Sequence, residues 1–386
     1  MECKIERSAL LAGLGVVADA VSGRPRLPIL EHTHVTASDA GLTLMATDTE
    51  IEIQTVVAAD INQPGVMTLP CQKMLSICRA LPSGAPIDMR LGDKGQITIK
   101  SGRSRFVVHG LDPDDFPTRT TEAPETVNDQ LVVPVPVLRS VLEKARQVMP
   151  TSNVRPYLNG ILLAVNGAHL VATATDGHVM VRATARMQAS RVTAGQWILP
   201  AKGVRALMKI LNADGVDETQ VSLALSSSAV TATVGPTMLR TQLIDGRYPD
   251  IEPVIPRYTP DERITIDVDR NDLQGLVERV SIMTAVSSDK RTSAVAMAPV
   301  DQEIRVRASS QDGEAADAVD ARITRAAETL CEFGANPAYC TAILAALDTE
   351  RVHIMLRDGT SGALFQGLRE GVVQEDVLGV LMPIRL

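Results

Sequence analysis

The sequence predicts an α+β chain of three similar domains, each made of antiparallel sheet with two helices on one face. Three observations predict it. The chain repeats itself at offsets of roughly 130 residues, too long for a solenoid unit and close to one domain. LTLMATDTEIEIQT (42–55) returns as HLVATATDGHVMVRAT (169–184) and, more loosely, as EIRVRASSQDGEAADAVD (303–320). LPCQKMLSICRALP (69–82) likewise returns as LPAKGVRALMKILN (199–212) and ANPAYCTAILAALD (335–348). Between these stretches the apolar residues alternate with period two, as half-buried strands require.

Taken in order, the elements follow from local chemistry. Ser8 is placed to cap a first helix carrying Leu10, Leu11, Leu14 and Val17 at helical spacing. Pro136 opens a second with Leu138, Val141, Leu142 and Ala145, and Asp269 or Asn271 caps a third with Leu273, Leu276, Val277 and Val280. Alternation predicts strand over 43–53, 97–107, 221–234 and 304–306. Polar, proline-bearing stretches at 118–129 and 256–262 set the expected domains at 1–128, 129–260 and 261–386.

Composition narrows the class. With 45% hydrophobic and 22% charged residues the 386-residue chain can bury a core, so wholesale disorder is excluded. Aromatics are only 2%, with one tryptophan, Trp197, so aliphatic side chains must build that core. No run approaches the ~20 apolar residues of a membrane span, and the first residues lack a secretion-signal pattern. Cys3, Cys71, Cys78, Cys331 and Cys340 are odd in number and form no C-x-x-C pair, as expected of free thiols in a reducing cytoplasm.

The net charge of −8 argues against coating nucleic acid by bulk positive charge. Its distribution is uneven. Residues 1–128 hold 12 basic against 16 acidic residues, 129–260 hold 13 against 9, and 261–386 hold 13 against 21. Only the middle third is basic.

Candidate chemistry is sparse. G-L-G-V-V-A (13–18) lies inside the first helix rather than after a strand, so it reads as small residues at a close contact and not as a dinucleotide loop. Asp48 with Glu50, on one face of a strand by period two, and Asp176 with His178 could serve as acid–base pairs. The third copy carries Ser309, Ser310 and Gln311 there, and Thr-Asp at a strand end is an ordinary turn cap. His32 and His34 share a strand face without further ligands at metal spacing. The sequence holds no nucleophile elbow, P-loop or H-E-x-x-H, so no catalytic residue is assigned. A stronger signal is the stripe of Lys202, Arg205 and Lys209, opposite Val204, Leu207, Met208 and Leu211 on one helix. Lys73 and Arg79 are its counterparts in the first repeat; the third has none. The last residues, V-L-M-P-I-R-L, are apolar enough for a docked strand or the lip of a hydrophobic groove.

These residues resemble the bacterial DNA polymerase III β subunit, the sliding clamps, nearly from end to end. The resemblance rests on G-R-P-x-L-P-I-L (23–30), A-T-D-x-E (46–50), S-G-R-S-R-F (101–106), R-x-Y-L-N-G (155–160), A-T-D-G-H (174–178), D-G-R-Y-P-D (245–250) and the closing M-P-I-R-L. It implies the DNA clamp fold, each chain forming half of a closed ring: a head-to-tail homodimer around duplex DNA, helices lining the hole and no sequence readout. It implies a processivity factor that is not an enzyme and needs no cofactor or metal.

Matched position by position, the resemblance assigns Arg24, Lys73, Arg155, Tyr157 and Lys202 to DNA; the helical stripes add Arg79, Arg205 and Lys209. It implies a groove for short hydrophobic peptides of the replicative polymerase, the clamp loader and repair proteins. Its residues would be Leu158, Thr175, Gly177, His178, Val179, Met180, Pro249, Val254, Asn336, Tyr339, Val380, Met382, Pro383, Ile384, Arg385 and Leu386. Ring closure would use Arg103, Arg105, Phe106 and Val108 against Ile282, Met283, Glu314 and Asp317. Pro156, Val179 and Pro253 depart from common family residues; a divergent clamp-like paralogue serving repair or regulation is the alternative expectation.

Overall fold

A computed structural model describes the chain except for residues 22, 24–26, 118–128, 188–191, 193, 215, 217, 218, 285–293, 326–331 and 386. The first repeat runs β1 (Glu2–Glu6), α1 (Arg7–Val17), β2 (His32–Ser38), β3 (Gly41–Thr47), β4 (Ile51–Val57), β5 (Asp60–Gln63), β6 (Gly65–Pro70), α2 (Cys71–Ala80), β7 (Pro86–Leu91), β8 (Gln96–Ser101) and β9 (Ser104–His109). The second runs β10 (Asp129–Pro134), α3 (Val135–Ala145), β11 (Gly160–Asn166), β12 (His169–Thr175), β13 (Val179–Arg186), β14 (Ala194–Pro200), α4 (Ala201–Leu211), β15 (Gln220–Leu225), β16 (Ala229–Val234) and β17 (Thr237–Gln242). The third runs β18 (Ile264–Asp269), α5 (Arg270–Ser281), β19 (Val295–Val300), β20 (Glu303–Ser310), β21 (Gly313–Arg325), β22 (Phe333–Ala335), α6 (Pro337–Ala346), β23 (Arg351–Leu356), β24 (Ala363–Arg369) and β25 (Val372–Leu381). These are three antiparallel-sheet domains with two helices each. The long β21 does in one strand what β4 and β5 do in two, pairing with β20 through its first half and with β18 through its second.

By proximity the chain forms two compact units, the first chiefly Met1–Pro136 with Lys202–Leu243, the second chiefly Val137–Ala189 with Ile244–Leu386. In the first, one sheet has the order β5-β1-β7-β8-β9 and another β10-β15-β16-β17-β4-β3-β2-β6. In the second, a single ladder runs β14-β11-β12-β13-β25-β24-β23-β18-β21-β20-β19-β22. Each unit contains one junction between repeats. β17 pairs with β4, Leu239 opposite Ile53, and β25 pairs with β13, Gly379 opposite Val181.

Several sequence expectations are corrected here. The predicted strands 43–53, 97–107 and 221–234 are each a hairpin, because a turn lies inside every run; Gly102 at φ 55° makes the turn between β8 and β9. Ser8 does not cap α1. Glu6 occupies that position, and the Ser8 hydroxyl donates to the Glu6 carboxylate over 2.6 Å. Leu10, Leu14 and Val17 are buried as expected while Leu11 is half-buried, since Gly13 takes the inner face. A Cβ on Gly13 would press within 2.7 Å of Leu44 and 2.8 Å of Val57, so the glycine lets helix and sheet approach closely.

Elsewhere the periodicities agree with the fold. Leu138, Val141, Leu142 and Ala145 of α3 are buried, as are Leu273, Leu276, Val277 and Val280 of α5. Asp269 caps α5 by accepting from the Asn271 and Asp272 amides. Phe365 is the one aromatic among the largest fully buried side chains; leucine, isoleucine and methionine fill the rest.

Gly160 begins β11 where its backbone runs against β14, and a Cβ there would overlap the Leu199 carbonyl oxygen. Backbone cannot swing aside as a side chain can. Gly160→Ala is therefore expected to cost about 1–3 kcal/mol, read as a lowered urea midpoint with an unchanged slope; an unaltered midpoint would refute the steric reading.

Candidate functional site

Two equivalent turns organise the site residues. In the first repeat the Thr47 hydroxyl donates to the Ile51 carbonyl over 2.8 Å and accepts from the Thr49 amide, while Asp48 Oδ1 accepts from the Glu50 and Ile51 amides. In the second, Thr175 donates to Val179 over 2.6 Å and accepts from Gly177, while Asp176 Oδ1 accepts from His178 and Val179. Asp48 and Glu50 thus sit in and beside a turn, with Thr49 at φ 80°, and do not share a strand face. Both aspartates spend one oxygen on the turn. The second oxygen reaches a helix: Asp48 Oδ2 takes the Lys202 ammonium, and Asp176 Oδ2 accepts from the Tyr339 hydroxyl. These carboxylates hold structure together.

The compact unit that contains the second turn holds two apolar clusters. Leu158, Leu162, Ile198 and Tyr248 form one buried cluster with Tyr157, Ile244 and Ile251 against it. Met180, Leu364, Leu378 and Val380 form another, with Ile251, Ile255 and Met355 against it. Ile251 touches both and so joins them. Of the expected groove residues, Leu158, Thr175, Val179, Met180, Asn336 and Val380 are buried, while Gly177, His178, Pro249 and Val254 are exposed. Asn336 caps α6, its Oδ1 accepting from the Ala338 and Tyr339 amides.

The C-terminal segment meets the first of its two sequence expectations. Through Leu381 it is a docked strand. Then the Met382 amide donates to His178 over 2.9 Å and the Ile384 amide to Gly334 over 2.8 Å, leaving Pro383 and Ile384 half-buried and Met382 and Arg385 exposed. Leu386 lies outside the described residues. The sequence reading missed Leu162, Ile198, Ile244, Tyr248, Ile251 and Leu364. Only the fold brings them together.

The cationic residues divide. Arg205 is exposed on α4 with Val204, Leu207, Met208 and Leu211 buried on the opposite side, as the stripe requires. Its neighbours are engaged: Lys202 with Asp48, and Lys209 with the Gly15 carbonyl at 2.7 Å and Asp19 at 3.1 Å. Lys73, Arg79 and Arg155 are exposed; Tyr157 is half-buried against the first apolar cluster. Arg24 lies outside the described residues.

At the edge strand β9, Arg105 and Val107 face solvent, Phe106 is half-buried, and Arg103 sits exposed in the preceding turn. Val108, expected at an interface, points inward and is 8% exposed. Ile282 is 78% exposed, Met283 packs toward Gly313, Glu314 is exposed, and Asp317 is taken by Arg279 over 2.7 Å.

Burial pushes the thiols of Cys3 and Cys78 up to about 11 and that of Cys340 up to about 12, which suits inert core residues. Among the described residues no group of three or more His, Cys, Asp or Glu side chains could hold a metal, and no helix is long and apolar enough to cross a membrane.

The chain matches the family profiles of the DNA polymerase III beta subunit in full sequence: N-terminal domain at residues 1–120, central domain at 132–250 and C-terminal domain at 253–385. The chain belongs to the bacterial sliding-clamp family. Beta sliding clamps of Pseudomonas aeruginosa and Escherichia coli are each 31% identical to it over the whole of both chains, and that of Vibrio cholerae is 33% identical. A crystal structure of the Pseudomonas aeruginosa sliding clamp bound to griselimycin superposes with a TM-score of 0.90 at 31% identity, covering all of both chains. The one from Bartonella birtlesii, also bound to griselimycin, gives 0.90 at 28%. The fold is the DNA clamp fold, and the protein is a DNA polymerase processivity factor of replication.

His32 and His34 share the half-buried face of β2, His32 near Thr68 and His34 against the Phe116 ring at 5.2 Å between centroids. Burial lowers the pKa of both from 6.5, with the Glu31 charge opposing it at His32. The folded chain therefore favours neutral rings, and the stability this confers is present above 6.5 and lost as pH falls below it. The urea midpoint is expected to drop between about pH 7 and about pH 5.5, and His34→Gln to flatten that drop. Identical pH profiles for both proteins would exclude the histidine as its source.

Proposed function

We propose that this sliding clamp is a non-enzymatic, head-to-tail homodimer whose six repeats, divided near residues 128 and 260, close a ring around duplex DNA in the cytoplasm. The internal repetition of strand pairing supports this reading most directly. In each chain the last strand of one repeat pairs with the fourth-strand position of the repeat before it, as β17 does on β4 and β25 on β13. Among the described residues, the last strand of the first repeat, β9, pairs with β8 alone and the first half of β21 with β20 alone. Each chain therefore offers one edge of each kind, and two chains satisfy all four. Exposed backbone donors and acceptors make such edges ready templates for pairing.

The register follows from the same logic. Thr47–Glu52 and Ser309–Glu314 are equivalent pairs across their turns, and the hairpin through Gly102 is equivalent to that through Gly235. Carrying Leu239 opposite Ile53 onto the intermolecular edge sets Phe106 opposite Ala315, Arg105 opposite Ala316 and Val107 opposite Glu314. Arg105 then shares a face with Glu314 as its diagonal neighbour. It also lies over a hollow of about 440 Å3 lined by Ala298, Ala316, Ala318 and Glu332. Asp317 turns to the opposite face, where Arg279 already holds it. Reversing Arg103 and Arg105 to Glu is expected to shift sedimentation toward monomer, since like charges would meet across the edge; an unchanged dimer constant would remove them from the interface.

DNA is held by topology and by sequence-independent phosphate contacts from Lys73, Arg79, Arg155 and Arg205, with Arg24 assigned by resemblance. Lys202 and Lys209 serve first as intramolecular ties. Short hydrophobic peptides of the polymerase, the clamp loader and repair proteins compete for the face joined by Ile251 and edged by His178, Pro249 and Met382. Each anchor side chain contributes about 2 kcal/mol when buried. Deleting residues 382–386 removes two backbone hydrogen bonds of the lip and none of β25. Loss of polymerase-peptide binding by fluorescence polarisation, with a dimer retained in sedimentation, is expected; undiminished affinity would overturn the groove assignment.

A further inference from the structure

One segment of the second compact unit carries the residue that joins its two apolar clusters. It runs from Asp250 to Tyr258, through Pro253 and Pro256, and its only regular structure is a single 3₁₀ turn at Glu252–Val254. Ile251 and Ile255 flank that turn, both half-buried against the cluster of Met180, Leu364, Leu378 and Val380. Val254 between them stays exposed. The Val254 amide donates to the Ile251 carbonyl over 3.1 Å and the Ile255 amide to that of Glu252 over 3.4 Å. A helical turn this short has little stability of its own, because each bond fixes several backbone dihedrals. Its place on the sheet has to be set from outside.

Two side chains reach outward to set it. At the far end the Tyr258 hydroxyl donates to the Gly362 carbonyl over 2.6 Å. At the near end Glu252 reaches the sheet. Its Oε1 accepts from Arg182 Nη1 over 2.6 Å and its Oε2 from Arg257 over 3.2 Å, while its amide donates to Asp250 Oδ1 over 3.1 Å. Arg182 stands on β13 two residues from Met180, on the same face of the strand, and is in register with Leu378 of β25. Its side chain is 22% exposed, against 77% for Arg257. The tie to Arg182 is therefore the less hydrated of the two, and a less hydrated pair is screened less and holds its geometry better.

We infer that Glu252 is a positioning residue of the peptide groove, an inference that rests on the groove reading above. Held by Arg182, it keeps Ile251 and Ile255 seated on the clusters, so the surface a hydrophobic peptide meets is set before the peptide arrives. Order supplied in advance is order that binding need not impose. Glu252 and Arg182 act through the two isoleucines and need no contact with the peptide.

The test is a double-mutant cycle on the full chain, with E252A, R182A and the two combined, read by fluorescence polarisation of the polymerase peptide. Each single change is expected to weaken binding about fivefold, and the combined change by no more than the larger single loss. Hydrogen exchange at the Val254 and Ile255 amides is expected to quicken in all three variants, with the urea midpoint unchanged. E252Q, which keeps one acceptor, is expected to fall between wild type and E252A. Losses that add in the combined variant, or a loss in R182A alone, would make Arg182 a direct peptide contact and overturn the positioning role while leaving the groove intact. Weakened binding with unaltered exchange at Val254 and Ile255 would overturn it equally. A wild-type chain that binds no polymerase peptide overturns the groove reading first, and the inference with it.

Discussion

The structure depends on the pairing of sheet edges. A strand with an open side leaves a row of amides and carbonyls that must find partners in water or in another strand. Here repeats are joined by that pairing: β17 completes β4, and β25 completes β13, in matching register. Because the same edge geometry recurs, the repeats can be stitched in series by backbone hydrogen bonds that do not depend on side-chain identity. This explains how three copies with little sequence in common, sharing mostly Ala-Thr-Asp turns and period-two alternation, carry one architecture. Among the described residues, β9 and the first half of β21 are edges that carry no such pairing on one side.

Side chains then differentiate what the backbone makes equivalent. In the second repeat Tyr157, Ile244 and Ile251 pack against the buried cluster of Leu158, Leu162, Ile198 and Tyr248, while the third repeat shows Arg305, Arg307 and small alanines around a hollow. Charge is partitioned to suit. The exposed cations Lys73, Arg79 and Arg205 belong to the helices α2 and α4, and the acidic excess is largest in the third repeat, which has no basic residue on α6.

Much of this was legible before any coordinates. The repeats, the six helices, the buried faces of α3, α4 and α5, the free thiols and the turn-cap role of Asp48 and Asp176 all follow from spacing and local chemistry. Boundaries were less legible. Period two continues straight through a tight hairpin, so residues 43–53 read as one strand until the backbone of Asp48–Glu50 turns back. Ser8 failed as a cap because β1 runs directly into α1, leaving Glu6 in the capping position.

The sequence by itself determined the number of repeats, their secondary structure, the family and the existence of a basic helix face, because each is written in local periodicity or in ordered short motifs. Only the tertiary structure decided which cations are spoken for, which apolar residues share a face, and which strand edges stay open. Lys202 and Arg205 are indistinguishable along the helix; Asp48, more than 150 residues away, is what separates them. Ile251 likewise looks unremarkable until two clusters close against it. Such relations depend on distances between residues far apart in the chain, and spacing along the sequence carries no measure of them.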